Sequence, residues 1–412
     1  VRPSFLDSPE AVYGLLVLGL FIVPRILQRF RLPAAIVTLG LGAGAGMGFG
    51  LFGHDTTIQL FSTLGIVALF LFAGLEVDFH ELRDGVWVLA QHVVIQLVLL
   101  GVGSFACATV FGLPTRPAML YALALLTPST GFILDSLPSF GLDKSGEFWV
   151  KSKAIATEVV ALVILLIVVQ SSSVRTLGVS VAALFAMVMV LPVVFRVFAT
   201  AIAPYAPGTE FTFLILVALL CAYITRTLGV YYLVGAFVVG LSAVRMRREI
   251  PALSSEKLLG GVQLFASFFI PFYFFKAGLG LTRDTFTVHS VSLGVGLVLL
   301  LVPLKTFVVA AHRRASLDEP WPRGGRVGLA LVPTLVFTLV IGGILQERYA
   351  LPVALYGALV VFTIINTMIP GVLLHTPPLA FEAPTMPTAP HLPAFQSERS
   401  SPPRAGHDGR GT

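Results

Sequence analysis

Thirteen apolar runs follow one another along this 412-residue chain, centred near residues 18, 43, 68, 99, 127, 159, 188, 218, 236, 271, 300, 336 and 363. Each is about 17–25 residues long, which is what an α-helix needs to cross the ~30 Å hydrocarbon layer of a bilayer. The least marked division lies at Thr227-Leu228-Gly229, between the runs at 218 and 236. With 56% hydrophobic and only 12% charged residues, the composition excludes a water-soluble domain. The runs predict an all-α polytopic membrane protein with about 13 transmembrane helices.

The formal charge of +6 does not point to a nucleic-acid partner, because of where the cations fall. Arg25, Arg29, Arg31, Arg83, Lys144, Arg245, Arg247, Arg248, Lys257, Arg313, Arg314, Arg323 and Arg326 all fall on one side of the alternating loops. The opposite loops hold isolated cations such as Arg116, Arg175, Arg226, Arg283 and Arg348. The positive-inside rule then places the N-terminus outside and the C-terminus in the cytoplasm, which requires an odd number of spans. Membrane lipid is the surrounding partner, and the cell inner (plasma) membrane is the expected location. Only Arg2 precedes the first run and no small-residue cleavage site follows it, so that run is a helix rather than a signal peptide. Cys107 and Cys221 sit in apolar runs and have no disulfide or metal spacing. From about His375 the composition turns to Pro, Ser, Thr, Ala and charge. This divides the chain into a transmembrane domain, 1–375, and a disordered cytoplasmic tail, 376–412.

An internal echo gives the domain its plan. Phe70-Leu71-Phe72-Ala73-Gly74-Leu75 matches Phe274-Phe275-Lys276-Ala277-Gly278-Leu279 at an offset of 204, and Leu123-Ala124-Leu125 with Pro128 resembles Leu329-Ala330-Leu331 with Pro333, the prolines 205 apart. The offset joins the third run to the tenth and the fifth to the twelfth. Seven helices is an odd number, so the two copies have opposite orientations, as in the inverted repeats of secondary transporters. The expected boundaries are a first repeat at about 11–170, a linker helix at about 177–199 and a second repeat at about 209–375.

The chemistry-bearing residues lie inside the apolar runs. Glu158 stands about midway along its run, where a charged side chain costs about 2.5–3.5 kcal/mol on insertion scales. Burial favours the neutral form of a carboxylate and a nearby cation favours the charged form, so a carboxylate poised between them can trade a proton for Na⁺ or K⁺. Glu158 is therefore the expected site of the monovalent metal cation and the proton, with Thr157 lending an oxygen or simply packing. The alternative is a structural ion pair. Lys276, in Phe272-Tyr273-Phe274-Phe275-Lys276, is the expected charge partner of Glu158, as salt bridge, proton carrier or fixed counter-charge. Thr127, Pro128, Ser129 and Thr130 interrupt one run, and Pro333 and Thr334 interrupt its counterpart. Proline removes an amide donor and clashes with the preceding turn, and non-helical backbone at membrane depth is tolerated where it lines a cavity. These six residues are the expected helix breaks and ion path; the plainer alternative is a harmless kink. Lys305 is expected to be structural, Lys151 an interfacial anchor, and the cluster Glu76, Asp78, His80, Glu81 and Asp84 a solvated loop. The remaining histidines show no ligand spacing.

Leu69-Phe70-Leu71-Phe72-Ala73-Gly74-Leu75-Glu76-Val77-Asp78 resembles the LFxxGLExD stretch of monovalent cation:proton antiporters, the group of Kef-type potassium and NapA-type sodium/proton exchangers. Thr127-Pro128-Ser129-Thr130 is similar to that family's unwound crossing helix, and Thr157-Glu158 falls where the family has its ion-binding pair. Phe275-Lys276-Ala277-Gly278-Leu279 resembles the helix carrying the lysine of electrogenic members. The resemblance covers about residues 11–375. It implies a homodimer with a dimerisation domain and a moving six-helix core, exchanging Na⁺ or K⁺ for H⁺ by elevator-like alternating access, with no cofactor. Two positions depart from the pattern: the acid is glutamate, and threonine precedes it. The alternatives on the same fold are a channel-like cation pathway and a non-transporting ion sensor. An anion or bile-acid symporter fits a mid-helix carboxylate less well, and no nucleophile–base set points to an enzyme.

Overall fold

Each apolar run becomes helical in the computed structural model, which describes residues 8–53, 55–77, 85–171, 173–206, 208–229, 232–246, 250 and 256–374. Asp78, His80, Glu81, Arg83, Asp84, Arg247, Arg248 and the tail 376–412 lie outside the described residues. The helices are α1 (Pro9–Gln28), α2 (Ala34–Ala43, prolonged by a π turn to Gly48), α3 (Thr56–Leu75) and α4 (Val86–Phe111). Next come α5 (Thr115–Leu126), α6 (Thr130–Ser136), α7 (Lys144–Gln170) and α8 (Val174–Val197, prolonged by a π turn to Ile202). They are followed by α9 (Glu210–Thr227), α10 (Tyr232–Met246), α11 (Glu256–Leu279) and α12 (Val288–Leu317). The last are α13 (Trp321–Ala330), α14 (Leu335–Tyr349) and α15 (Val353–Leu373). Among the described residues ten segments are long and apolar enough to span a bilayer, with α5 and α6 taken as one; α13 and α14, bent by 46°, form an eleventh. Two shorter apolar helices, 34–48 and 232–246, account for the remaining runs. The helix foreseen as a linker is α8, and the doubtful division at Thr227-Leu228-Gly229 separates α9 from α10.

Local chemistry sets the helix boundaries. Asp55, Asp143 and Thr287 precede α3, α7 and α12, and their side chains accept the amide hydrogens of Ile58, Gly146 and Ser290, satisfying donors that a helix start leaves free. Gly112, at φ 63°, ends α4 in the left-handed conformation that glycine adopts most easily.

The helices pack in two groups. One comprises α1–α3 and α8–α11; the other comprises α4–α7 and α12–α15. They meet chiefly where α3 touches α6 and where α7 touches α8. Glycines hold the first group together. A Cβ on Gly240 would lie 2.8 Å from Gly74 Cα and 2.5 Å from Leu71 O, so α10 and α3 touch backbone to backbone. A Cβ on Gly278 would lie 3.0 Å from Gly42 Cα, which puts α11 and α2 in the same relation. Lipid is as apolar as the side chains, so close backbone approach through small residues is a main source of association between membrane helices. Gly74 and Gly278 are the matched glycines of the 204-residue echo. Each packs on a short helix from the other half of the chain.

Gly240→Ala is expected to lower the melting temperature of the detergent-solubilised protein by several degrees, since overpacking costs about 1–3 kcal/mol. Gly40→Ala, where an added Cβ meets nothing within 4 Å, is expected to leave it unchanged. Thermal unfolding of both variants makes the comparison.

Candidate functional site

Two broken helices cross at the centre of the second group. Proline interrupts each, Pro128 between α5 and α6 and Pro333 between α13 and α14. Thr127, Pro128, Ser129 and Thr130 make or border the first break, and Pro333 and Thr334 stand at the second. Each break satisfies part of the other's backbone. Ser129 N–H donates to Pro333 O at 2.8 Å, Val336 N–H donates to Ser129 Oγ at 3.3 Å, and Thr338 Oγ1 donates to Ala124 O at 2.7 Å. Thr334 is held from α15, where Asn366 Nδ2 donates to its Oγ1 at 3.0 Å.

The ends of α5 and α13 leave carbonyls without an intrahelical donor, and these carry the negative end of a helix dipole. Gln96 of α4 donates Nε2–H to Leu126 O at 3.1 Å. Lys305 of α12 donates from Nζ to Val332 O, also at 3.1 Å. The equivalent break in one half thus receives a side-chain amide and in the other a buried lysine amine.

Glu158 lies on α7, which packs against α4, α5, α6 and α13. The helix begins at Lys144, so Glu158 stands about 21 Å along it at 1.5 Å per residue, midway as the sequence suggested. Its side chain is 2% exposed. Thr130 Oγ1 lies beside the carboxyl group, yet neither Thr130 Oγ1 nor Glu158 Oε2 has a hydrogen-bond partner. A buried polar atom without a partner forfeits its hydration with nothing in return, which is the condition a proton or a dehydrated cation relieves. Thr157, by contrast, is largely engaged. Its hydroxyl donates to Lys153 O at 2.8 Å and faces His92 Nε2 at 3.1 Å. Because the hydroxyl hydrogen is committed to Lys153 O, His92 Nε2 carries the hydrogen of that second contact.

A cavity lies on the side of the crossing nearer the ends of α12 and α13 that carry Arg313, Arg314, Arg323 and Arg326. His92, Gln96, Pro128, Thr157, Lys305 and Leu331 line it. Glu158 is not part of that wall, although its neighbour Thr157 is.

Lys276 is not brought to Glu158. It is an exposed residue in the last turn of α11, with Glu347 and Arg226 as its charged neighbours, at the membrane end opposite the basic loops. The run of phenylalanines before it resembles mid-membrane sequence, but α11 ends three residues later, at Leu279. The lysine that reaches the crossing is Lys305, 9% exposed and well inside the 30-residue α12. His92, Gln96, Lys153 and His312 also join the site region without having been singled out from the sequence. A signal was available: Lys153 precedes Glu158 by five residues in the same run, and His92 and Gln96 are one helical turn apart. Lys151 forms an ion pair with Glu76 at 3.1 Å, joining the end of α3 to α7.

Residues 16–380 match the family described as sodium/hydrogen exchanger, transmembrane. The probable Na⁺/H⁺ antiporter 3 of Methanocaldococcus jannaschii is 23% identical over 390 residues, 90% of this chain and 97% of that protein. The Na⁺/H⁺ antiporter NhaS5 of Synechocystis is 26% identical over 384 residues, 88% of this chain. The chain spans only 52% of that second relative's length. Among solved structures, the sodium proton antiporter MjNhaP1 from Methanocaldococcus jannaschii at pH 8 superposes with a TM-score of 0.62 at 14% identity, covering 88% of this chain and 92% of that one. At that identity the likeness is one of fold. With the family match extending over most of the chain and the two broken helices crossing beside a buried carboxylate, the chain belongs to the sodium/hydrogen exchanger family, a family of membrane transporters rather than enzymes.

Proposed function

We propose that the chain is a secondary active transporter exchanging Na⁺ or K⁺ for H⁺, with cation and proton alternating on the Glu158 carboxylate. The observation that carries this is a buried carboxyl group, Glu158, whose Oε2 has no hydrogen-bond partner and which lies beside the Thr130 hydroxyl in the bundle interior. An ionised carboxylate there is costly, and either a proton or a dehydrated cation removes the cost. The two ligands therefore exclude one another, and exclusion is what couples their fluxes. Thr157 keeps one lone pair for a cation after its two hydrogen bonds. The breaks at Thr127, Pro128, Ser129, Thr130, Pro333 and Thr334 supply the non-helical backbone of the ion path.

Lys305 takes the role foreseen for Lys276 as the charge partner. Its amine spans the gap to Val332 O, in the cavity that Thr157 also lines. With Lys305 charged throughout, the protonated site and the cation-loaded site both carry +1, and exchange is one for one and electroneutral. If cation binding also expels the Lys305 proton, the loaded site is neutral and two protons move per cation.

Elevator-like movement of α4–α7 with α12–α15 is supported by their packing as one group with limited contact to the other. The basic ends of α1, α10, α12 and α13 support an outside N-terminus and a cytoplasmic C-terminus. A first repeat at about 11–170, a second at about 209–375 and a homodimer in the plasma membrane belong to the same proposal. The matched glycine contacts support the repeats, and the sequence resemblance supports the dimer.

In liposomes holding a pH-sensitive dye, with the membrane potential clamped, addition of Na⁺ or K⁺ is expected to move protons. Glu158→Gln is expected to reduce the signal to that of empty liposomes while the protein stays folded. Undiminished exchange would move the site elsewhere, and cation current without proton movement would favour a channel. As pH falls, the half-saturating cation concentration should rise, towards about tenfold per unit where the proton dominates the competition. Lys305→Gln is expected to alter the proton-to-cation ratio or the voltage dependence if the lysine titrates; an unchanged ratio, read from reversal potentials, would make it a fixed counter-charge.

A further inference from the structure

Away from the Glu158 carboxylate, three helices meet around a second group of buried polar residues towards the basic end of the bundle. Lys153 of α7 is fully buried, and its Nζ lies 2.8 Å from His312 Nδ1 of α12. His312 is 7% exposed. Its Nε2 lies 3.3 Å from Oε1 of the exposed Gln91 on α4, and the half-buried Ser316 donates its hydroxyl hydrogen to that same oxygen at 2.7 Å. Amide oxygens only accept and ammonium groups only donate. With Lys153 charged, the arrangement calls for a neutral His312 with its hydrogen on Nε2 and a lone pair on Nδ1. The only nitrogen that can take a further proton is the one already engaged by Lys153.

The remaining charged surroundings offer no local compensation to such a proton. On α4 the ring of His92 stacks on that of His312, centroids 6.1 Å apart. Beside it on α12, Arg313 is committed to Glu319 through two hydrogen bonds of 2.8 and 2.6 Å and lies 5.5 Å from the Trp149 ring of α7. Beyond these, Asp143 faces Arg323 of α13 at 3.5 Å. The side-chain contact from Lys153 to His312 ties α7 to α12. The same Lys153 holds Thr157 through its carbonyl oxygen, next to Glu158, while α12 carries Lys305.

We propose that His312 is a proton-gated positioning residue for the exchange reaction. Neutral, its Nδ1 accepts the Lys153 ammonium and holds the Thr157-Glu158 segment of α7 in register with α12. A proton arriving from the Gln91–Ser316 side binds Nδ1, removes the acceptor and sets two cations face to face. The contact opens, the register is lost, and turnover falls on the acid side. The sign follows from the chemistry: the hold needs the unprotonated ring, so it is present at high pH and lost as pH falls through the ionisation of His312.

This rests on cation–proton exchange at Glu158, but the two separate experimentally. Competition at Glu158 changes the half-saturating cation concentration, whereas the His312 contact changes the maximal rate. Uptake of radiolabelled Na⁺ or Rb⁺ into liposomes, at saturating cation and equal pH on both faces, reads the maximal rate from about pH 8 down to about pH 4, a range reaching below that of an exposed histidine because a proton on buried His312 would face Lys153. The native protein is expected to lose rate with falling pH, approaching about tenfold per unit for a single titrating group. In His312→Asn the side-chain oxygen replaces Nδ1 as acceptor for Lys153 but takes no proton, so the maximal rate should no longer depend on pH. His312→Leu, which leaves Lys153 unpaired, should be slow at every pH. An acid limb unchanged in His312→Asn overturns the proposal, as does a normal rate in His312→Leu. Should His312→Asn fail to fold, Lys153→Gln decides the matter: an amide donor does not repel a protonated ring, so the limb should flatten, and a persistent limb overturns the proposal. A pH-dependent half-saturation constant that survives in these variants leaves the Glu158 site standing, and its absence from the native protein would count against that site alone.

Discussion

A helix broken inside a bilayer leaves carbonyls and amides with no water to turn to, and most of this molecule's centre is arranged around that demand. The break at Pro128 and the break at Pro333 meet, and each lends the other a hydrogen bond: Ser129 N–H to Pro333 O, Val336 N–H to Ser129 Oγ, Thr338 Oγ1 to Ala124 O. What they do not satisfy between them is supplied from outside, by Gln96 to Leu126 O and by Lys305 to Val332 O. The position of Lys305 follows from this, because a buried ammonium is tolerable where a helix end offers it a carbonyl and a favourable dipole. Glu158 sits next to the same crossing but is left with an oxygen unsatisfied.

Packing follows a different rule in the other half of the helices. Around α2, α3, α10 and α11 the contacts are glycine against backbone, which gives a rigid panel with few polar groups. In α4–α7 and α12–α15 the contacts include hydroxyls, amides and charges. The proposed elevator-like movement of one group past the other agrees with this division, since the polar contacts lie mostly within α4–α7 and α12–α15. The Lys153–His312 contact is internal to that unit as well, so breaking it would loosen the site without detaching it from the wall.

The spans were legible because run length against bilayer thickness is a strong constraint, and each foreseen segment has a helix. The crossing was also legible, through two prolines at a shared offset. The burial of Glu158 beside the crossing was readable because one residue type carried the signal alone: a carboxylate deep in an apolar run is costly. Lys276 shows where this stops. Its neighbours are as apolar as those of Lys305, but depth depends on where the helix ends, and α11 ends at Leu279, just before Gly280. Lys153, His92 and His312 were hidden for another reason. They come from three helices, and no spacing along the chain reveals that α4, α7 and α12 bring them within a few ångströms of one another.

The central claim is that proton and cation compete for one carboxylate. Proton release on cation binding tests it without transport, using purified protein in a weakly buffered solution with a pH indicator. The account predicts that Na⁺ or K⁺ displaces about one proton per ion bound where Glu158 starts protonated, and that Glu158→Gln releases none. Cation binding with no proton released at any pH, or release that persists in Glu158→Gln, would contradict it.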